Sequence, residues 1–179
     1  MTKPKTCRIC KKPFIATNPL AKVCSYECAL IFVKNNREKE TKKKASLDRQ
    51  DRARMKERLK SRGQWVKDCQ VVFNAWIRKR DEGLPCISCG SLIGQRHASH
   101  FYATSIRPNL RFDESNVHAS CARCNKWMHG NLIPYRTELG KRIGKDELDR
   151  LDADIEPKHY SIQDLKDIKE LYKNKTKAL

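Results

Sequence analysis

No apolar run in this sequence approaches the ~20 residues needed to cross a bilayer; the longest near the start is Ala29 to Val33. Lys3 and Lys5 have no apolar stretch behind them, so a secretory leader is not expected. Acidic residues are scarce as well: 21 Asp+Glu against 39 Lys+Arg leave a formal charge of +18. A surplus of that size makes a polyanion, nucleic acid first, the expected partner, and no membrane partner is expected. Hydrophobic residues are held to 39% of a 179-residue chain, which allows one modest core with room for a second small domain. The expectation is a protein of a reducing, cytoplasmic compartment, and that decides how its nine cysteines are read.

Eight of the nine cysteines fall into four close pairs. In a reducing compartment, paired thiolates with two or three residues between them point to tetrahedral zinc rather than to a disulfide framework. A Cys-x-x-Cys turn aims two sulfurs at one point, and a second pair completes four ligands at ~2.3 Å. Two structural Zn2+ sites close in this way. One uses Cys7, Cys10, Cys24 and Cys28; the other uses Cys86, Cys89, Cys121 and Cys124. Cys69 falls on an apolar helical stripe with Trp65, Val72, Phe73, Trp76 and Ile77, so packing is its expected role.

The composition divides the chain into three. Residues 1–33 read as a zinc knuckle, with turns at Pro13 and Asn18-Pro19, and too short to fold without metal. Residues 34–62 carry 13 Lys+Arg and 5 Asp+Glu, a local +8, with no Pro and no Gly. They read as a basic helix of up to ~44 Å or as a charged linker, suited to lie along phosphates. Gly63 is expected to end this segment. Residues 63–179 open with an amphipathic helix to about Asp81 and then turn at Gly83-Leu84-Pro85 into the second cysteine motif. Over Ala98 to Phe112, broken by Pro108, a short hairpin or two strand fragments with a long loop are expected, and a helix from Cys121 to His129 that stops at Gly130. Further helices are expected over Leu139–Leu151 and Ser161–Lys173. The expected class is α+β, mostly α.

A cluster of imidazoles and amides surrounds the second cysteine set: His97, His100, Asn116 and His118 between its halves, Asn125 and His129 just after. On a helix, Asn125 and His129 would share one face. Cutting a phosphodiester needs a neutral imidazole to take a proton from water, and an ordinary pKa near 6.5 suits it. It also needs a divalent cation, Mg2+ or Mn2+, to steady charge on the leaving oxygen.

The order Cys86-x-x-Cys89, Ser99-His100, Asn116, Cys121-x-x-Cys124-Asn125 resembles the HNH (ββα-metal, or His-Me finger) nucleases, and within them the endonuclease VII type that cuts branched DNA. More of the chain is similar to the NinG (Rap) recombination proteins of lambdoid phages. That likeness is carried by Leu84-Pro-Cys-Ile-Ser-Cys-Gly90, Leu110-Arg-Phe-Asp113, Asn116-Val-His118 and Gly130-Asn-Leu-Ile-Pro-Tyr-Arg136. It runs from the first cysteine pairs to the last helix. It implies a zinc-stabilised ββα-metal module, and a recombination endonuclease for Holliday junctions and D-loops in the host cytoplasm.

Residue by residue, the resemblance implies that His100 is the general base and that Asn116 braces the loop that aims it. Asn125 and His129 become helix-borne ligands of the catalytic cation. Many HNH enzymes carry Asp or His just before the base, whereas Ser99 stands here, a poor ligand for a hard cation; His97 can supply the missing contact. The competing expectation is a non-catalytic zinc protein that binds branched DNA as a recombination scaffold. A sequence-specific HNH enzyme is disfavoured, since no second readout module such as a helix-turn-helix is visible. The near two-fold symmetry of a junction suggests a homodimer, and phage or host recombination proteins are expected partners.

Overall fold

The structure is a computed structural model and describes residues 3–16 and 18–179. It is mostly helical α+β and divides into two units, Met1–Leu59 and Lys60–Leu179.

In the first unit β1 (Lys5–Thr6) pairs antiparallel with β2 (Pro13–Phe14), and the first cysteine turn lies between them. Ser25 then caps α1 (Tyr26–Arg58), its hydroxyl accepting from the Cys28 N–H at 3.3 Å. The helix therefore starts before the expected Lys34, inside the cysteine motif, with Cys28 in its first turn. Without Pro or Gly to interrupt it, α1 runs 33 residues, about 50 Å at 1.5 Å per residue. Cys28 is its one buried residue; beyond the apolar run Ala29–Val33 the helix is dominated by charged side chains.

The second unit begins with α2 (Arg62–Arg80), capped by Ser61 in a reciprocal pair with Gln64. Gly63 lies in its first turn rather than ending the segment before it. Trp65, Cys69, Phe73, Trp76 and Ile77 are buried along one side. The partner face comes from the far end of the unit. Helix α5 (Ile162–Ala178), capped by Ser161 and Asp164, buries Leu165 and Tyr172 against α2. The Phe73 and Tyr172 rings meet edge to face at 4.7 Å, and the Cys69 thiol donates to the Leu165 carbonyl at 2.6 Å. Cys69 is thus a core residue.

Two strands lean on this core, β3 (Arg96–His100) and β4 (Val117–Cys121), antiparallel with His100 opposite Val117 and Arg96 opposite Cys121. The connection 101–116 contains a 3-10 turn opened by Pro108. A second apolar cluster gathers Ile87, Phe101, Leu110, Tyr135, Leu139 and Leu151 beneath α3 (Leu132–Ile143) and α4 (Lys145–Ala153).

Two helix expectations need correction. The helix expected over Leu139–Leu151 is split, because Gly144 at φ +86° ends α3 and starts α4 in a conformation other residues resist. The helix expected from Cys121 to His129 is absent. Cys121 belongs to β4, followed by one π turn, Arg123–Trp127, and then His129 at φ +48° and Asn131 at φ +49°. Strand pairing claims Cys121, and its N–H donates to the Cys86 sulfur at 3.2 Å. The turn is widened, with the Met128 N–H returning to the Arg123 carbonyl and Gly130 to Cys124. Asn125 and His129 therefore share no helix face.

Candidate functional site

Both cysteine quartets are assembled. The sulfurs of Cys7, Cys10, Cys24 and Cys28 all lie within 4.8 Å of one another, as do those of Cys86, Cys89, Cys121 and Cys124. A tetrahedral zinc with ~2.3 Å bonds sets neighbouring sulfurs about 3.8 Å apart. Cys24–Cys28 and Cys89–Cys121 stand at 3.8 Å, and Cys10–Cys24 at 3.4 Å. A disulfide would need about 2 Å. Neighbouring thiols, Cys10 and Cys7 foremost, push Cys24 up from the ordinary thiol range; burial, then Cys89 and Cys121, does the same to Cys124. Four thiolates crowded this closely need a cation between them, so the residues fit a soft metal such as zinc.

The two turns are built alike. The N–H of Lys11 returns to the Cys7 carbonyl, and that of Gly90 to the Cys86 carbonyl, at 3.0 and 2.9 Å. Each position after the second cysteine is left-handed, Lys11 at φ +62° and Gly90 at φ +70°.

His100, at the end of β3, sends Nε2 to the Arg111 carbonyl oxygen at 3.0 Å. In the tautomer where Nε2 carries the proton it donates there, and Nδ1 keeps its lone pair. Burial holds this imidazole below its usual range, which favours the neutral, proton-accepting form. Asn116 is fully buried and closes the connecting loop on itself. Its Oδ1 accepts from the Tyr102 N–H at 2.8 Å, while Nδ2 donates to the carbonyls of Tyr102 and Leu110 at 3.1 and 3.0 Å. The residue following His100 is tied as well, Phe101 N–H to Asn116 carbonyl at 2.8 Å.

His97 does not join His100. Three residues apart on one strand, they face opposite sides, and His97 Nδ1 instead meets Asn125 Nδ2 at 3.3 Å. His129 is exposed, yet it lines the same cleft as His100, a cavity of about 490 Å3. Among the described residues no carboxylate lines that cleft. Hard divalent cations prefer carboxylate oxygens, so the donors present fit Mg2+ or Mn2+ weakly.

The sequence did not single out the residues that complete the cleft. Arg107 lies 4.7 Å from the Tyr102 ring and donates to the Asp154 and Asp152 carbonyls. Arg136 grips the Asp152 carboxylate, as does the Tyr102 hydroxyl at 2.5 Å. Arg136 closes one of the quoted motifs, a signal without an assigned role; Arg107 carried none. A second unforeseen device is Asp81, buried at the end of α2. Burial alone would raise its carboxyl, but Arg80 and the Ala119 N–H hold it below the usual range. Arg80 also reaches the Glu114 and Val117 carbonyls, so this pair fastens α2 to the strand that carries Cys121. His118, buried beside them, is pushed down to about 4 by burial and then by Arg80.

A family model described as Bacteriophage Lambda NinG protein matches residues 1–179. Protein ninG of Escherichia phage 933W is 36% identical over 193 aligned residues, covering all of this chain and 96% of that protein. Protein ninG of Escherichia phage lambda is 44% identical over 122 residues, covering 68% of this chain and 60% of that protein, and protein ninG of Salmonella phage P22 matches with the same identity and shares. No solved structure matches. The pairing of both cysteine turns with a match along its whole length makes this chain a member of the NinG family of bacteriophage proteins.

Proposed function

We propose that the chain is an HNH-type endonuclease that cuts branched DNA during phage recombination in the host cytoplasm, with zinc in both quartets. The observation that carries this reading is the state of His100. One ring nitrogen is fixed to a backbone carbonyl, and Asn116 locks the loop at its edge. His100 lines a cleft that also holds two guanidinium groups and no carboxylate among the described residues, and we assign its other nitrogen to that cleft. Nδ1 takes a proton from water as its oxygen attacks phosphorus; the bond from phosphorus to the 3′ oxygen breaks, and that oxygen leaves with a proton from solvent, giving a 5′-phosphate end. Arg107 and Arg136 meet the charge that gathers on the phosphate oxygens.

The scaffold reading is favoured by a different observation: among the described residues, the groups of three or more ligating side chains drawn together are the two quartets alone. One experiment separates them. The purified protein is incubated with a synthetic four-way junction and with matched duplex, each with and without added Mg or Mn. The expected result is cutting of the junction, dependent on divalent metal, with His100→Ala slower by about 10²–10⁴ at unchanged junction affinity. A parent protein that binds the junction and never cuts it under either metal leaves the scaffold.

A further inference from the structure

We propose that the His100 cleft captures one unpaired nucleobase beside the phosphate to be cut, so that a strand is cut where a base has left its stack. The proposal deepens the nuclease reading and rests on it.

The cleft is more apolar than phosphate chemistry requires. Ile106, Leu132 and Ile133 stand around it with 74%, 47% and 86% of their surface exposed. Three large aliphatic side chains at one opening are unusual on a chain of mean hydropathy −0.78. Duplex DNA gives them nothing to cover, because it presents phosphates and groove edges while its base faces are stacked on each other. An unpaired base offers two flat apolar faces, and a cavity of about 490 Å3 falls in the range that takes a small organic group.

The polar groups suit the same occupant. The Arg107 guanidinium lies over the Tyr102 ring and is held by two backbone carbonyls; a guanidinium plane is a surface on which unstacked bases settle. Arg136 is fixed by Asp152 before any ligand arrives. No carboxylate lines the cleft among the described residues, and the Asp152 carboxylate beside it is already engaged by Arg136 and Tyr102, so a phosphate attached to that base meets no unpaired acidic group. A protein segment docked on the aliphatic rim would make no use of the Arg107 guanidinium plane or of the cationic side of the cleft. A nucleotide uses both.

The test is binding by the full chain without added Mg or Mn, measured by fluorescence anisotropy. One branched DNA carries a single unpaired nucleotide at the branch; the other carries an abasic site there. Stacking on a protein surface is sequence-tolerant and large enough that loss of the base should weaken binding about tenfold. Leu132→Ser combined with Ile133→Ser should bind both DNAs equally, at the weaker level. Both side chains are exposed, so the fold should hold, and Ile106→Ser, on a separate segment, repeats the test. Equal affinity of the parent for the two DNAs overturns the proposal, as does a tenfold preference that survives all three substitutions. Cleavage with Mg or Mn is scored separately. A base preference without cutting keeps the capture and removes the nuclease; cutting without a base preference does the reverse.

Discussion

The two four-cysteine clusters share one turn and differ in everything around it. Cys7 and Cys86 begin the same hydrogen-bonded loop, closed in one case by Cys7 N–H to the Lys12 carbonyl and in the other by Cys86 N–H to Ser91, both 2.9 Å. Around the first cluster there is almost nothing else. Cys7 and Cys28 are the buried hydrophobic positions of that unit, so a metal there stands in for a core. The second cluster is set against one. Ile87 inside its turn is buried and bonds the Ala119 carbonyl of β4, and Ser88 donates to the Gly130 carbonyl. The same chemistry thus folds one unit and, in the other, pins a strand and a turn beside a cleft.

The largest expected effect comes from breaking each cluster in turn. Structural zinc is worth about 10–16 kcal/mol in small peptides. Cys7→Ser should dissolve the β1–β2 hairpin and leave the melting of 60–179 unchanged. Cys121→Ser should destroy the cooperative melt of 60–179, because β4, which holds His118 and follows directly on Asn116, loses its anchor. Metal analysis of the parent should return two zinc ions per chain; one or none breaks the pairing of the clusters.

Next in size is the pH dependence of cleavage, which belongs to the second unit alone. His100 works when neutral, and burial lowers its pKa from the ordinary 6.5. The acid limb of the rate should therefore fall below pH 6.5, with activity persisting into mildly acidic buffer. A limb centred at or above 6.5 would assign the base to another group.

The first unit should show itself in salt instead. Each phosphate neutralised on duplex DNA contributes about 0.9 to the slope of log affinity against log salt. Removing residues 34–58, which lie within the polar helix α1, should flatten that slope and leave the chemical step unchanged. An unchanged slope would make α1 a spacer or a contact between copies.

The smallest effect tests the shared turn directly. Lys11 occupies a left-handed position that costs a side chain about 1–2 kcal/mol, where Gly90 is free of it. Lys11→Gly should stabilise the metal-loaded hairpin by up to about 1 kcal/mol, and Gly90→Lys should cost a similar amount with nothing to clash against. Thermal melts of the two variants measure both.

What could be read from the sequence was local. Cysteines with two or three residues between them declare their partner by spacing, and the stripe Trp65–Cys69–Phe73–Trp76 declares its face by period. The helix expected from Ser161 starts there, with its capping box to Asp164 formed; the equivalent box of Ser61 and Gln64 begins α2 ahead of Gly63, where the sequence suggests only the end of a segment. What could not be read was set by distant groups. Nothing in Arg80-Asp81 foretells that this pair fastens α2 to a strand 38 residues on. Helical periodicity over Cys121–His129 loses to β-pairing with Arg96, a partner 25 residues upstream. His97 and His100 look like neighbours in the sequence and are separated by the strand's own alternation. The cleft joins side chains from the β3 end, the loop after it and α3, so its lining has no signature in any one segment.

The packing of α2 on α5 sets a clock on synthesis. Phe73 meets Tyr172 across 99 residues of chain, and translation adds about 5–20 residues per second. For roughly 5–20 s the apolar side of α2 has been made and its cover has not. During that interval Trp65, Phe73 and Trp76 are open to other nascent chains and to chaperones. The first cysteine quartet ends at Cys28, so a zinc captured there would be seated before α2 is complete. A shortage of zinc would therefore strike this chain twice, first at Cys28 and again at Cys124, whereas a shortage of chaperone capacity would strike in the interval between α2 and its cover.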